Sequence, residues 1–207
     1  MIEIHHLNMS QSERIIWLME ELGLPYALKA YARDSVTMLA PPELAEVHPL
    51  GFAPVIRDGD LVLAESGAIA EYVLETYGEG RLRHAPGTPG YADYLFWFHY
   101  ANGTLMPATM LGFMELQLRD TGHPLLTHFR ARMDRSINLL DSRLGVSPYV
   151  AGADLTAADI MLHFPLGTMR GMFPIDLSTR PHITAWLDRI AERPAYRRAM
   201  KAAGNAV

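Results

Sequence analysis

The sequence predicts two domains of different class, a small α/β domain with a mixed sheet followed by an all-helical domain. Three observations predict it. The hydrophobic period changes repeatedly over residues 1–78. A Pro- and Gly-rich stretch, GRLRHAPGTPG, then occupies 80–90. Beyond it only helical periods recur, separated by Pro or Gly.

Each element has its own reason. IEIHHLN (2–8) reads as a short strand. SERIIWLMEELGL carries Ile15, Ile16, Leu18, Met19 and Leu22 at helical spacing, with Gly23 as the stop. PYALKAY (25–31) reads as a second strand, and a βαβ crossover makes the two parallel. APVIRDGDLVLAE (53–65) is two apolar runs around Asp58-Gly59, a hairpin. SGAIAEYVLETYG (66–78) is a helix with Ile69, Val73 and Leu74 on one face and Gly78 at its end. The expected division is 1–78, a linker over 79–89, and 90–207, with helices over about 91–116, 124–144, 156–170 and 181–203.

Composition limits the chemistry. At 49% hydrophobic and 20% charged, the 207 residues fit a soluble globular protein. No apolar run approaches the roughly 20 residues that span a bilayer, and MIEIHHLNMS lacks the basic segment of a secretion signal. The expectation is a cytoplasmic protein with no membrane partner. There is no cysteine, so sulfur chemistry here must use a ligand's sulfur. Residues 1–80 hold 4 basic against 13 acidic side chains, while 81–207 hold 14 against 10. The basic half is mixed in sign, and no nucleic-acid partner is expected. His5-His6, His99, His123 and His163 show no ligand spacing, and no metal is expected.

Four stretches offer chemistry. In HPLGFAPVI (48–56), Pro54 stands where a proline removes a ladder donor. A tight turn there would free the preceding backbone to pair with a ligand, whereas an edge-strand proline is the plain alternative. In AESGAIA (64–70), Ser66 suits a helix N-cap, and the N–H groups of that helix attract a carboxylate. Glu65 beside it suits an ammonium, so the pair suits an α-amino-acid head group; a cap with a surface carboxylate is the alternative. In LNMSQSERIIW (7–17), Ser10 and Glu13 fit a capping box, yet a hydroxyl at a first helical turn also stabilises a thiolate. YADYLFWFHYANGTLMPATMLGFME (91–115) holds more aromatics and methionines than one helix face needs: Tyr100, Met106, Met110, Phe113 and Met114. Methionine makes adaptable apolar surfaces. Asn102-Gly103 and Pro107 interrupt that helix.

HHLNMSQSERIIWLMEELGLPY, APPELAEVHPLGFAPVI and LAESGAIAEYVLE, in this order, resemble one family, as does LTAADI (155–160) with its Thr156–Asp159 capping box and Leu155–Ile160 staple. The chain resembles a bacterial cytosolic glutathione S-transferase of the serine type, theta-like, over nearly its whole length. The resemblance implies a thioredoxin-like N-terminal domain and an α-helical domain carrying the acceptor site. It implies that Ser10, four before Arg14, hydrogen-bonds the glutathione thiolate, with Asn8 and Ser12 as second candidates. It implies a cis Pro54, with Ala53 offering its backbone to the cysteinyl part of glutathione, and Glu65 and Ser66 holding the γ-glutamyl head. The family often has a basic residue where this chain has Phe52, so the glycine end of glutathione falls to His48, Arg33 or water.

The leading expectation is therefore an enzyme of detoxification, a homodimer, with glutathione as co-substrate and a hydrophobic electrophile as acceptor. Charge complementarity between the acidic and basic halves agrees with a dimer. Two alternatives keep the fold: a glutathione-dependent disulfide reductase or peroxidase without protein cysteine, and a non-catalytic binding or regulatory protein.

Overall fold

The structure, a computed structural model, describes residues 1–118, 123–171 and 175–205, except the side chains of 116 and 117. Its contacts divide the chain into two units: Met1–Leu82 with Ile190–Val207, and Arg83–Arg189.

The first unit holds a four-stranded sheet in the order β2-β1-β3-β4. β1 (Ile2–Leu7) pairs parallel with β2 (Tyr26–Tyr31), and the crossover between them is α1 (Ser12–Leu22). β3 (Val55–Asp58) runs antiparallel to both β1 and β4 (Leu61–Ala64). The hairpin turn is two residues, Gly59 and Asp60, and Gly59 has φ of 59°. A short helix, α2 (Glu43–Val47), precedes β3, and α3 (Ser66–Tyr77) follows β4. Sequence periodicity does not reveal α2, because its five residues make little more than one turn and bury only Leu44. Ile4, Ile15, Ile16, Leu18, Val55, Ile56, Ile69 and Val73 form the interior between the sheet and its helices.

α9 (Pro194–Ala202) also belongs to this unit, where the sequence placed it with the helical domain. Its partner is α1. The Trp17 and Tyr196 rings meet edge to face at 5.1 Å. Arg193 grips the Glu21 carboxylate with two nitrogens at 2.7 and 2.8 Å, and Arg198 donates to Glu20 at 2.6 Å. Asn205 donates to Glu13 at 2.7 Å. Pro194 separates α9 from α8 (Pro181–Ala191), so the single helix expected over 181–203 is two.

Among its described residues the second unit is built from helices, with one isolated bridge, Tyr149–Gly152, in a loop. α4 (Tyr91–Tyr100) leads through a π-helical turn, Ala101–Leu105, into α5 (Met106–Leu118). Pro107 lies just past that turn, where its missing N–H cannot continue a regular ladder. α6 (Pro124–Leu144) packs closely on α5: a Cβ at Gly112 would come within 2.2 Å of the Met133 sulfur. α7 (Ala157–Leu166) is buried at all ten positions. The Thr156–Asp159 capping box is present, and Leu155 and Ile160 are both buried. The Asp159 carboxylate also accepts from Val150 N–H at 3.0 Å and Trp186 Nε1–H at 3.1 Å.

Candidate active site

The strand register brings three of the sequence motifs to one end of the sheet. Val55 stands opposite His5 on one side and Ala64 on the other. The exit of β1 toward Ser10, the entry to β3 after Ala53-Pro54, and the exit of β4 into Glu65-Ser66 are therefore neighbours. The Ala53–Pro54 bond is cis, and Ala53 is buried.

Side chains tie two of these motifs together. Arg14 donates through Nη1 to Gln11 Oε1 and to Ser66 Oγ at 3.2 Å. Ser66 Oγ–H donates to Gln11 Oε1 at 3.2 Å. Arg14 keeps only 1% exposure, and burial pulls its guanidinium down to about 9, against the raising influence of Glu13. The start of α1 is thus fastened to the start of α3. Glu65 stands at φ 71°, ψ 115°, a left-handed region costly for a residue with a side chain, and its carboxylate is exposed. Glu65 thus stands exposed directly before the N–H groups that open α3, where the helix dipole favours negative charge.

Ser10 does not complete the expected capping box through Glu13. Its Oγ accepts the N–H of Ser12 at 3.3 Å, and the Glu13 N–H bonds the Ser10 carbonyl at 3.2 Å. Gln11 enters α1 with right-handed helical φ and ψ, so the geometry differs from a standard cap. The two hydroxyls, Ser10 Oγ and Ser12 Oγ, lie 2.7 Å apart. Both are buried, Ser12 completely and Ser10 with 7% exposure, so Ser10 is the less enclosed of the pair. Asn8 is exposed, and its carbonyl accepts from Arg33.

The other expected contacts are distributed less evenly. His48 Nδ1 accepts the N–H of Leu50 at 3.3 Å, a loop role. Phe52 is 44% exposed, a large apolar ring on the approach to Pro54. Arg33 spends its guanidinium on the carbonyls of Asn8, Met9 and Met38, at 2.9 to 3.1 Å. In the helical unit, Met106, Met110, Phe113 and Met114 share the i, i+4, i+7, i+8 face of α5. Met110 and Met114 are exposed. Tyr100 is buried, and its hydroxyl donates to the Ser136 carbonyl at 3.1 Å. Tyr100 borders a cavity of about 390 Å³ with Phe96 and His99, while Phe113 borders another of about 220 Å³ with Met133 and Arg180. Among the described residues no three His, Asp or Glu side chains gather as a metal site would need, and no helix is long and apolar enough to cross a membrane.

Sequence reasoning missed Gln11, the link from Arg14 to Ser66, and His6. Gln11 and Arg14 do stand three apart at a helix start, a faint signal. Their partner Ser66 is 52 residues beyond Arg14, which no local pattern encodes.

A thioredoxin-like sheet with a cis-proline entry, followed by a helical unit, defines the class of fold: a thioredoxin-like domain joined to a helical one. Comparison with known proteins agrees. The model of the glutathione S-transferase N-terminal domain matches residues 8–76, and that of the C-terminal domain matches residues 104–194. Glutathione S-transferase 3 of Schizosaccharomyces pombe is 31% identical over 95% of this chain and 86% of its own length. The Escherichia coli glutathione S-transferase GstB is 26% identical over 92% of this chain and 93% of its own. A solved glutathione S-transferase from Actinobacillus pleuropneumoniae superposes with a TM-score of 0.88 at 34% identity, over 100% of this chain and 94% of that one. The chain belongs to the glutathione S-transferase family and is an enzyme of it.

Proposed function

We propose that this enzyme binds glutathione in the first unit, stabilises its thiolate with Ser10 and the N-terminus of α1, and directs that thiolate at a hydrophobic electrophile. The observation that carries this reading is Ser10 itself. It is a hydroxyl two residues before α1, bonded to the N–H of Ser12 at the helix start, at the same sheet end as Ala53-Pro54 and Glu65-Ser66. Ala53 pairs its backbone with the cysteinyl part of glutathione, and Glu65 with the N–H groups of α3 receives the γ-glutamyl head. His48 serves the glycine carboxylate: its Nδ1 accepts from Leu50, which puts the ring proton on Nε2 as a donor. The Met-rich face of α5 supports an apolar acceptor.

The thiolate ultraviolet band tests the reading. Bound glutathione is expected to titrate below free glutathione, and Ser10→Ala is expected to raise that value by about one unit, some 1.4 kcal/mol, with a matching fall in kcat. If Ser10→Ala changes neither, Ser10 only shapes the loop. The enzyme acts as a homodimer on this reading, and a monomeric mass by light scattering overturns that part.

A further inference from the structure

The proposed role of Ser10 leaves one buried group unused. His6 keeps 2% exposure on β1, and both of its ring nitrogens are engaged. Nε2 lies 3.0 Å from the Ala203 carbonyl, just past α9. A carbonyl only accepts, so Nε2 carries the proton. In the neutral ring Nδ1 is then an acceptor. Its partner is Ser12 Oγ at 2.7 Å, so the Ser12 hydroxyl proton goes to His6. The Leu7 carbonyl, at 3.3 Å, is a longer rival for that proton.

The remaining contacts then fall into one order. Ser12 Oγ has given its only proton, so it must accept from the N–H of Leu7 at 3.3 Å and from the hydroxyl of Ser10 at 2.7 Å. Ser10 Oγ in turn accepts from the Ser12 N–H and has a lone pair left for a ligand. The resting network therefore points every hydroxyl proton inward, from Ser10 to Ser12 to His6. In that polarity Ser10 has an acceptor to show a thiol and no proton to show a thiolate.

We propose that Ser10, Ser12 and His6 form a proton relay, with His6 as its terminal acceptor, that takes the thiol proton of bound glutathione. This rests on Ser10 being the thiol's partner. The S–H bond breaks and its proton passes to Ser10 Oγ. Ser10 passes its own proton to Ser12 Oγ, and Ser12 passes its own to His6 Nδ1. Sulfur keeps the electron pair. The product is a thiolate that accepts from Ser10 O–H, and an imidazolium that donates to Ser12 and to Ala203; net charge is unchanged. When the thiolate's pair forms the new C–S bond and the leaving group departs with its own pair, the proton returns along the chain to water. The relay thus reverses each hydroxyl in the same step that makes the thiolate, which a lone serine cannot do.

Burial and carbonyl act on His6 in opposite senses, burial against the imidazolium and the carbonyl for it. Burial holds the resting ring below its ordinary value and so neutral, while the Ala203 carbonyl favours the charged ring. The charged groups on packed elements include Arg33, which lines a cavity of about 570 Å³ with His6, and Glu13 of α1, which accepts from Asn205. The placement of Ala203 gives the C-terminal segment a part in this chemistry: the residue just past α9 carries the carbonyl that fixes the His6 tautomer.

Proton accounting tests the relay near pH 7. Glutathione is titrated into the enzyme while thiolate absorbance and proton release, by calorimetry in two buffers of different ionisation heat, are followed together. The wild type is expected to form thiolate with little proton release, because His6 retains the proton. His6→Asn, whose amide oxygen accepts from Ser12 but takes no proton, is expected to release one proton per thiolate. Its kcat is expected to fall about 10²-fold with the KM for glutathione unchanged. One proton released per thiolate in the wild type overturns the relay and leaves the Ser10 reading intact. No thiolate at all overturns both. Nitrogen NMR of the histidines in the wild type reads the same event without a variant. His6 Nδ1 is expected to become protonated when glutathione binds, and an unprotonated Nδ1 in the complex overturns the proposal.

Discussion

At the scale of single residues, the site depends on buried polar groups that hold others in place. Arg14 is the clearest case. Its guanidinium has lost its water and gains the Gln11 and Ser66 oxygens in return. A charged donor removed from such a cluster leaves buried acceptors without it. Arg14→Ala is expected to lower stability by about 2–3 kcal/mol, read from urea unfolding, and to raise the KM for glutathione because α3 is no longer fastened at Ser66. Arg14→Lys is expected to recover only part of both, since an ammonium lacks the planar fork. A variant with wild-type stability and KM would show the cluster to be incidental. Glu65 belongs to the same scale: its backbone strain is local, and the exposed carboxylate is what the strain presents.

At the scale of elements, caps and breaks matter more than propensity. α7 is buried on all sides, and its fixed point is Asp159, which collects donors from Thr156, Val150 and Trp186. Burial pushes that carboxyl above its ordinary range, and the donors pull it back. Asp159→Ala is expected to cost about 3 kcal/mol or more, because it strands an indole N–H and two backbone N–H groups in the interior. An unchanged thermal midpoint would contradict this. The π-helical turn between α4 and α5 is the matching break, placed where Asn102-Gly103 and Pro107 weaken a regular ladder. It separates the aromatic face of α4 from the methionine face of α5.

At the scale of the whole molecule, the charge distribution changes once the units are known. The sequence halves differ sharply, but α9 returns Arg193, Arg197, Arg198 and Lys201 to the acidic unit. Unit by unit the balance becomes 9 basic against 14 acidic, and 9 against 9. Part of the asymmetry is settled inside one chain by the α1–α9 ion pairs, so it supports a dimer less than the sequence alone implies. Stability as a function of pH also belongs here. His5 and His6 are both buried on β1, and burial is the leading cause that lowers each from 6.5. The unfolded chain then binds more protons than the folded one below pH 6.5. Stability is expected to fall as pH drops from 6.5 through the folded values, with a shallower fall in His6→Asn. Urea midpoints over that range check it, and a flat profile would refute it. The sequence by itself determined the βαβ-ββα order, the all-helical second part, the Thr156–Asp159 box and the family, because periodicity, turn residues and caps are local. It also singled out Ser10, Pro54 and Glu65-Ser66. Only the tertiary structure decided that Ser10 bonds Ser12 and not the backbone of Glu13, that Arg14 reaches Ser66, that α9 packs on α1, and that the Ala203 carbonyl meets His6. The first is a local choice between two nearby partners; the others span from 52 to 197 residues. They depend on which strand ends and helix faces meet in space, and no local pattern records that.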